Sequence, residues 1–116
     1  MSIFINFTNH PSAAWQKKQT EAAEKYGEIK DIPFPSVPSK ASEEEVSKMA
    51  KDYVERILLE NLNAVLCQGE FTLAYQVIKL LKDKGIIVVA ACSERKVTEE
   101  NNRKIVEFQF EGFRKY

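Results

Sequence analysis

Three short polar clusters interrupt otherwise apolar runs and hold most of the chain's candidate chemistry. They are Thr8-Asn9-His10-Pro11-Ser12, Gln68-Gly69-Glu70-Phe71-Thr72 and Ser93-Glu94-Arg95-Lys96. His10 is the only histidine in the chain, so any imidazole acid or base must be its own. Asn9, His10 and Ser12 surround an expected helix start, where exposed amides favour an anion; the plainer reading is an N-cap and a turn residue. In the second cluster Gly69 permits close backbone approach, and the Phe71 and Thr72 amides open a helix. A single glycine is far from a phosphate-loop or dinucleotide fingerprint. Glu70 would repel phosphate there. It suits a ribose hydroxyl, a base amine, or the positive end of a helix dipole. In the third cluster Arg95 suits a bidentate grip on phosphate, with Lys96 and Ser93 beside it; the alternative is a solvated hairpin loop. Trp15 reads as core, or as a ring placed to stack on a base.

The elements that must carry these clusters follow from hydrophobic period and punctuation. Ile3 to Phe7 is a short apolar run, read as a buried strand. Pro11 then suits a helix's first turn, with Trp15, Gln19, Ala22, Ala23 and Tyr26 at helical spacing and Gly27 as the stop. Glu28 to Phe34 reads as a weaker strand that ends in Pro33, Pro35 and Pro38. Ser42 and Glu45 form a capping box. Val46, Met49, Ala50, Tyr53, Val54, Ile57 and Leu58 then line one helical face. Ala64 to Cys67 is wholly apolar, as a central parallel strand is. Thr72 is expected to cap a helix from Leu73 to Lys84, closed by Gly85 and expected to be the most buried of the three. Ile86 to Cys92 is the strongest strand. Ser93 to Arg103 carries no helical period. Val106, Phe108 and Phe110 alternate with polar residues as an antiparallel edge strand, and Gly112 marks a bulge or bend.

The order β-α-β-α-β-α-β-β predicts one α/β domain over residues 1–116. The expected architecture is a Rossmann-like or flavodoxin-like three-layer sandwich: a mostly parallel sheet in the order 2-1-3-4, with a C-terminal antiparallel edge strand beside the fourth. Ligands of such sheets bind beyond the strands' carboxyl ends, where strand order reverses. All three polar clusters fall there.

The bulk numbers agree with a single small globular domain, at 116 residues with 44% apolar and 29% charged. Seventeen basic residues balance seventeen acidic ones, which argues against a duplex-DNA binder. No run approaches the roughly 20 apolar residues of a membrane span. The start carries no signal-peptide pattern. Cys67 and Cys92 sit in apolar runs and read as reduced, buried thiols of a cytoplasmic protein. No metal-ligand spacing or nucleophile triad is present, so neither metal nor cofactor is expected.

The segments NFTNHPSAAW, QGEFT, CSER and FQFEGFRKY together resemble a group of small CRISPR-associated accessory proteins, similar to stand-alone CRISPR-associated Rossmann-fold (CARF) domains. The resemblance spans nearly the whole chain through short motifs. It implies a homodimer that binds cyclic oligoadenylate, the second messenger of type III CRISPR defence, across its two-fold axis; some members of that group cleave it and are called ring nucleases. The matching positions are Asn9, His10, Ser12, Gly69, Glu70, Thr72, Ser93 and Arg95. Metal-independent cleavage requires in-line attack by the ligand's own 2′-hydroxyl, leaving a 2′,3′-cyclic phosphate end. Arg95 would stabilise charge, and His10 or Glu70 would move protons. Thr8, Asn9, Ser12, Trp15, Gln68, Gly69, Phe71, Thr72, Ser93 and Lys96 would bind ligand. A dimer enclosing the ring around its dyad would use the aromatic last strand or the third helix. The alternatives are a non-catalytic sensor or sponge, and an unrelated nucleotide-handling enzyme on the same scaffold.

Overall fold

Five strands form one sheet in the order β2-β1-β3-β4-β5 in the computed structural model, which describes residues 2–116. The strands are β1 (Ile3–Phe7), β2 (Glu28–Asp31), β3 (Leu62–Cys67), β4 (Ile87–Glu100) and β5 (Arg103–Lys115). β2, β1, β3 and β4 run parallel, and β5 returns antiparallel to β4. The helices are α1 (Lys17–Glu24), α2 (Glu43–Leu58) and α3 (Phe71–Asp83). The protein is therefore mixed α/β with a mostly parallel sheet, and the strand order is the one expected.

Alternation along the central strands divides the core in two. Ile5, Phe7, Val65, Cys67 and Val88 join the inner faces of α2 and α3 in one cluster. Phe4, Ala64, Leu66 and Val89 join Ala23 of α1 in the other. The Ser42–Glu45 capping box is present in both directions and starts α2; such a cap stabilises a helix by about 1 kcal/mol. α2 buries four of its sixteen residues and α3 four of its thirteen, so α3 is the most buried helix for its length, as its wide apolar arc implied. Gly27 is required where β2 begins, because a Cβ there would sit 2.3 Å from the Ser2 carbonyl oxygen. That carbonyl accepts the Glu28 N–H that opens the β1–β2 ladder.

Two local expectations are corrected near the first polar cluster. Pro11 does not enter a long helix. Ser12–Ala14 form a 3₁₀ turn, Trp15 and Gln16 are extended, and α1 starts only at Lys17. The break has a cause: Asp31 takes the Ser12 N–H and the His10 carbonyl takes the Trp15 indole N–H, which closes this segment on itself. β2 stops at Asp31 rather than Phe34, as Pro33 and Pro35 cannot extend a ladder.

The larger correction lies at the far end. Ser93 to Glu100 is not a loop but the outer half of β4, paired residue by residue with β5 to a two-residue turn. Asn101 and Asn102 make that turn at φ 52° and 61°, the left-handed pair that a tight hairpin needs. Glu111 is the extra residue of a bulge, since Cys92 faces Gly112 while Ser93 faces Phe110. Beyond the bulge the two strands project as a ribbon. The radius of gyration is 15.8 Å, against roughly 13 Å for a compact chain of this length.

Candidate functional site

The carboxyl ends of β1, β3 and β4 open on a cleft of about 790 Å³. Its first wall is the β1 loop, with Thr8, Asn9, His10, Pro11 and Trp15. Gln68 and Gly69 from the end of β3 form its floor, with Ala91 and Ser93 of β4 beside them. The hairpin supplies the opposite wall through Phe108 and Phe110.

A buried polar network fixes the first wall. Asn6 and Thr8 are the buried polar residues of the core. The Asn6 side-chain amide donates to the His10 carbonyl at 2.9 Å and to Asp31 Oδ1 at 3.1 Å. Thr8 donates its hydroxyl to Asn6 Oδ1 at 2.8 Å and accepts the His10 N–H at 3.1 Å. Both backbone groups of His10 are thus held, and the Trp15 indole adds a third bond at 3.2 Å. The His10 imidazole makes no hydrogen bond among the described residues and stands exposed on the cleft. A group that must reach a ligand needs such a fixed backbone and a free tip.

Gln16 joins the two walls. Its Nε2 donates to the Phe108 carbonyl at 2.9 Å, and its Oε1 accepts the Phe110 N–H at 3.2 Å. This amide copies one rung of a ladder along the free edge of β5, and so it is not available to cap α1. Lys18 and Glu111 add an exposed ion pair across the same gap. Gln68 similarly accepts the Ala91 N–H with its side-chain oxygen at 3.0 Å.

The expected site residues divide into two groups. Thr8, Asn9, His10, Trp15, Gln68, Gly69 and Ser93 converge on the cleft. Ser12 does not line it, and its N–H is taken by Asp31. Glu70, rather than Thr72, is the N-cap of α3. Its carboxylate accepts the Leu73 N–H at 2.8 Å and the Thr72 hydroxyl at 2.7 Å. These bonds, the Thr72 hydroxyl foremost, hold its carboxyl below the usual carboxylate value. An ionised side chain with full charge is the better cap for a positive helix end, so it displaces threonine. The helix start is thereby filled by the chain's own anion. Thr72 lies outside the cleft, and Phe71 lies on the far side of the Gln68–Gly69 loop. Gly69 owes its identity to packing, because a Cβ there would meet the Phe34 ring at 2.6 Å.

Arg95 and Lys96 stand on the ribbon, not in a loop, and neither lines the cleft. Arg95 pairs opposite Phe108, so it shares the cleft-side face two pairs outward from the Ser93–Phe110 pair. Lys96 pairs opposite Glu107 on the other face. Sequence reasoning missed Gln16, Gln19, Phe108 and Phe110 as cleft residues. Asn6 carried a usable signal: a polar residue within an apolar strand needs partners.

Both cysteines are free. Cys67 is buried, and desolvation pushes its thiol up to about 12. Cys92 is only half-buried, at the root of the ribbon. Among the described residues no helix is long and apolar enough to cross a membrane, and no three His, Cys, Asp or Glu side chains gather as metal ligands.

Fold and site together define a mixed α/β protein with a five-stranded sheet and an aromatic-walled cleft, set with polar side chains, at its carboxyl edge. The chain belongs to the family described as the uncharacterized protein MJ1673 family, whose model matches residues 2–114. No curated protein and no solved structure matches it.

Proposed function

We propose that the cleft binds one nucleotide unit of an oligonucleotide ligand, and that the ligand is the cyclic oligoadenylate suggested by the CARF-like motifs. The observation that carries this reading is that His10, Trp15 and the amide-bearing residues Asn9, Gln19 and Gln68 line one cleft. Amides read the edges of a base, and aromatic rings stack on its face at about 1–3 kcal/mol per base. The volume falls within the range of small-ligand sites. The flavodoxin-like, three-layer view of the fold belongs with this proposal. Strand order and the two cores on opposite sheet faces support it, while the projecting ribbon departs from it.

In the catalytic form of the proposal, the ribose 2′-hydroxyl attacks the adjacent phosphorus in line. The 5′-oxygen leaves, a 2′,3′-cyclic phosphate forms, and the ring opens. His10 exchanges the proton with the attacking or leaving oxygen. Arg95, two pairs out from Ser93 along the ribbon, supplies positive charge to the phosphate. Glu70 caps α3 and does not line the cleft, so the proton transfers are assigned to His10.

The non-catalytic reading, a sensor or sponge, is favoured by one observation: no lysine or arginine lines the cleft among the described residues. Incubation with cyclic tri-, tetra- and hexa-adenylate in EDTA, followed by chromatography, separates the two. Linear products with 2′,3′-cyclic phosphate ends support cleavage. Intact ring with tight binding supports the sensor, and no binding of any ring refutes both.

A further inference from the structure

A second groove, of about 800 Å³, runs along the outer face of α3 and meets the cleft at Gln68 and Gly69. Phe71 is 89% exposed and Tyr75 67% exposed on this face, although both sit in a well-formed helix. Ile78 and Lys82 continue the same line. The positions 71, 75, 78 and 82 are spaced four, three and four apart. That is the seam of a helix made to pack against another helix. The inward face of α3 is separate and already filled by Leu73, Val77 and Leu81.

We infer that the outer face of α3 is the self-association surface of this protein, where α3 of a second copy packs antiparallel. The spacing selects the partner. In an antiparallel pair centred between Tyr75 and Ile78, Tyr75 faces the partner's Ile78, and Phe71 faces the partner's Lys82. The match repeats by symmetry, as an isologous interface requires. Lys82 supplies the charge that the register uses. Lys82 in the last turn meets the partner's Phe71 ring in a cation–π contact and offsets the partner's Glu70, which lies level with Asp83 in this register, while Lys79 lies level with the partner's Ala74. The opposed helix dipoles agree with the register. A polyanion would satisfy the lysine but would leave the apolar Phe71–Tyr75–Ile78 line without a match.

The register also deepens the proposed function, on which this part rests. Phe71 and Lys82 are eleven residues apart, so the two α3 starts lie about 16 Å apart along the seam. Each cleft adjoins its own α3 start. The two clefts are thus separate, and each copy takes its own ligand instead of sharing one ring across the dyad.

Light scattering on the full chain at about 50 μM tests the surface. The expected mass is twice 13.3 kDa. Tyr75→Glu should raise the dimer dissociation constant at least thirtyfold, with an unchanged circular dichroism spectrum. Oxidative cross-linking tests the register: a chain carrying both Phe71→Cys and Lys82→Cys should form covalent dimers, and either change alone should not. A monomeric parent, a dimeric Tyr75→Glu variant, or a Phe71→Cys chain that cross-links to itself overturns the inference. So does a monomer whose Tyr75→Glu form loses oligoadenylate affinity, since α3 would then be a ligand surface. Calorimetry with cyclic tetra-adenylate should give one ligand per chain; one per two chains contradicts the antiparallel register. A dimer that binds no ring leaves the interface standing and removes only the nucleotide reading.

Discussion

Gln16 Oε1 accepts the backbone N–H of Phe110 at 3.2 Å across ninety-four residues of chain. With its second bond to the Phe108 carbonyl, this one side chain holds the β1-loop wall of the cleft to the hairpin wall. The walls come from opposite ends of the sequence, and no other polar contact between them involves the backbone of the ribbon among the hydrogen bonds described. Gln16→Ala should therefore loosen the cleft more than the core. We expect a stability loss of about 1–2 kcal/mol, the worth of one or two net hydrogen bonds. Hydrogen exchange at the Phe110 amide should accelerate, while the amides of Val65 and Leu66 in the central strand keep their protection in proportion to global stability.

His10 and Arg95 should separate turnover from affinity. His10→Ala is expected to leave binding nearly intact and slow ring opening about 10²–10⁴-fold. Arg95→Ala is expected to weaken binding by roughly 1.5–3 kcal/mol if its guanidinium meets a phosphate. Both residues are exposed, so both variants should fold. Val89→Asp is the contrast. Val89 is fully buried between sheet and α1 side, and an unpaired carboxylate there should abolish folding.

Glu70 gives a pH-dependent prediction with a definite sign. Its carboxyl is held below the ordinary value of 4.5 by the Thr72 hydroxyl and the Leu73 N–H. The native state thus favours the ionised form. The stabilisation is fully present above the unfolded value and is lost as pH falls through the lower folded value. Thermal melts should show the parent above Glu70→Gln at pH 7 and the gap closing in the acid range below 4.5. Ring opening should be unaffected by Glu70→Gln at neutral pH; a loss of a hundredfold or more in the folded variant would return Glu70 to the chemistry.

The two thiols should react differently. Burial pushes Cys67 up to about 12, so at pH 8 it carries almost no thiolate and has no access to reagent. Cys92 is half-buried at the ribbon's root. A disulfide reagent should titrate one thiol per native chain and two after denaturation, with Cys92→Ser removing the native signal.

The inner half of the molecule was legible in the sequence; of the outer ribbon only the β5 half was, through the alternation of Val106, Phe108 and Phe110. β1, α2 and the core of β3 each bury one face or both, so burial imposes a period or an apolar run that can be read. The ribbon buries neither face along most of its length. Ser93 to Glu100 is exposed throughout, and nothing selects an alternation of apolar and polar residues there. Its strands are specified by cross-strand partners instead, such as Lys96 opposite Glu107 and Glu99 opposite Lys104, and by the Asn101-Asn102 turn. The site shows the same division. His10, Trp15 and Gln68 were found because topology sends strand ends to one edge. The cap of α3 was assigned to Thr72 instead of Glu70, because their competition for one helix start is decided by charge and local geometry. Gln16 carried no signal, since its partners are backbone groups ninety-four and ninety-two positions away.

Trp15 is the chain's single tryptophan and lines the cleft, so its fluorescence reports occupancy of the site directly. The decisive measurement is a titration of the native chain with cyclic tri-, tetra- and hexa-adenylate in EDTA, following Trp15 emission and then separating the nucleotides. The expected result is a saturable emission change with at least one ring size. A Trp15→Phe chain should bind the same ring by calorimetry with no optical signal. Unchanged emission and no heat of binding with all three rings, up to about 1 mM and a weak limit of about 4 kcal/mol, would contradict a nucleotide site in this cleft.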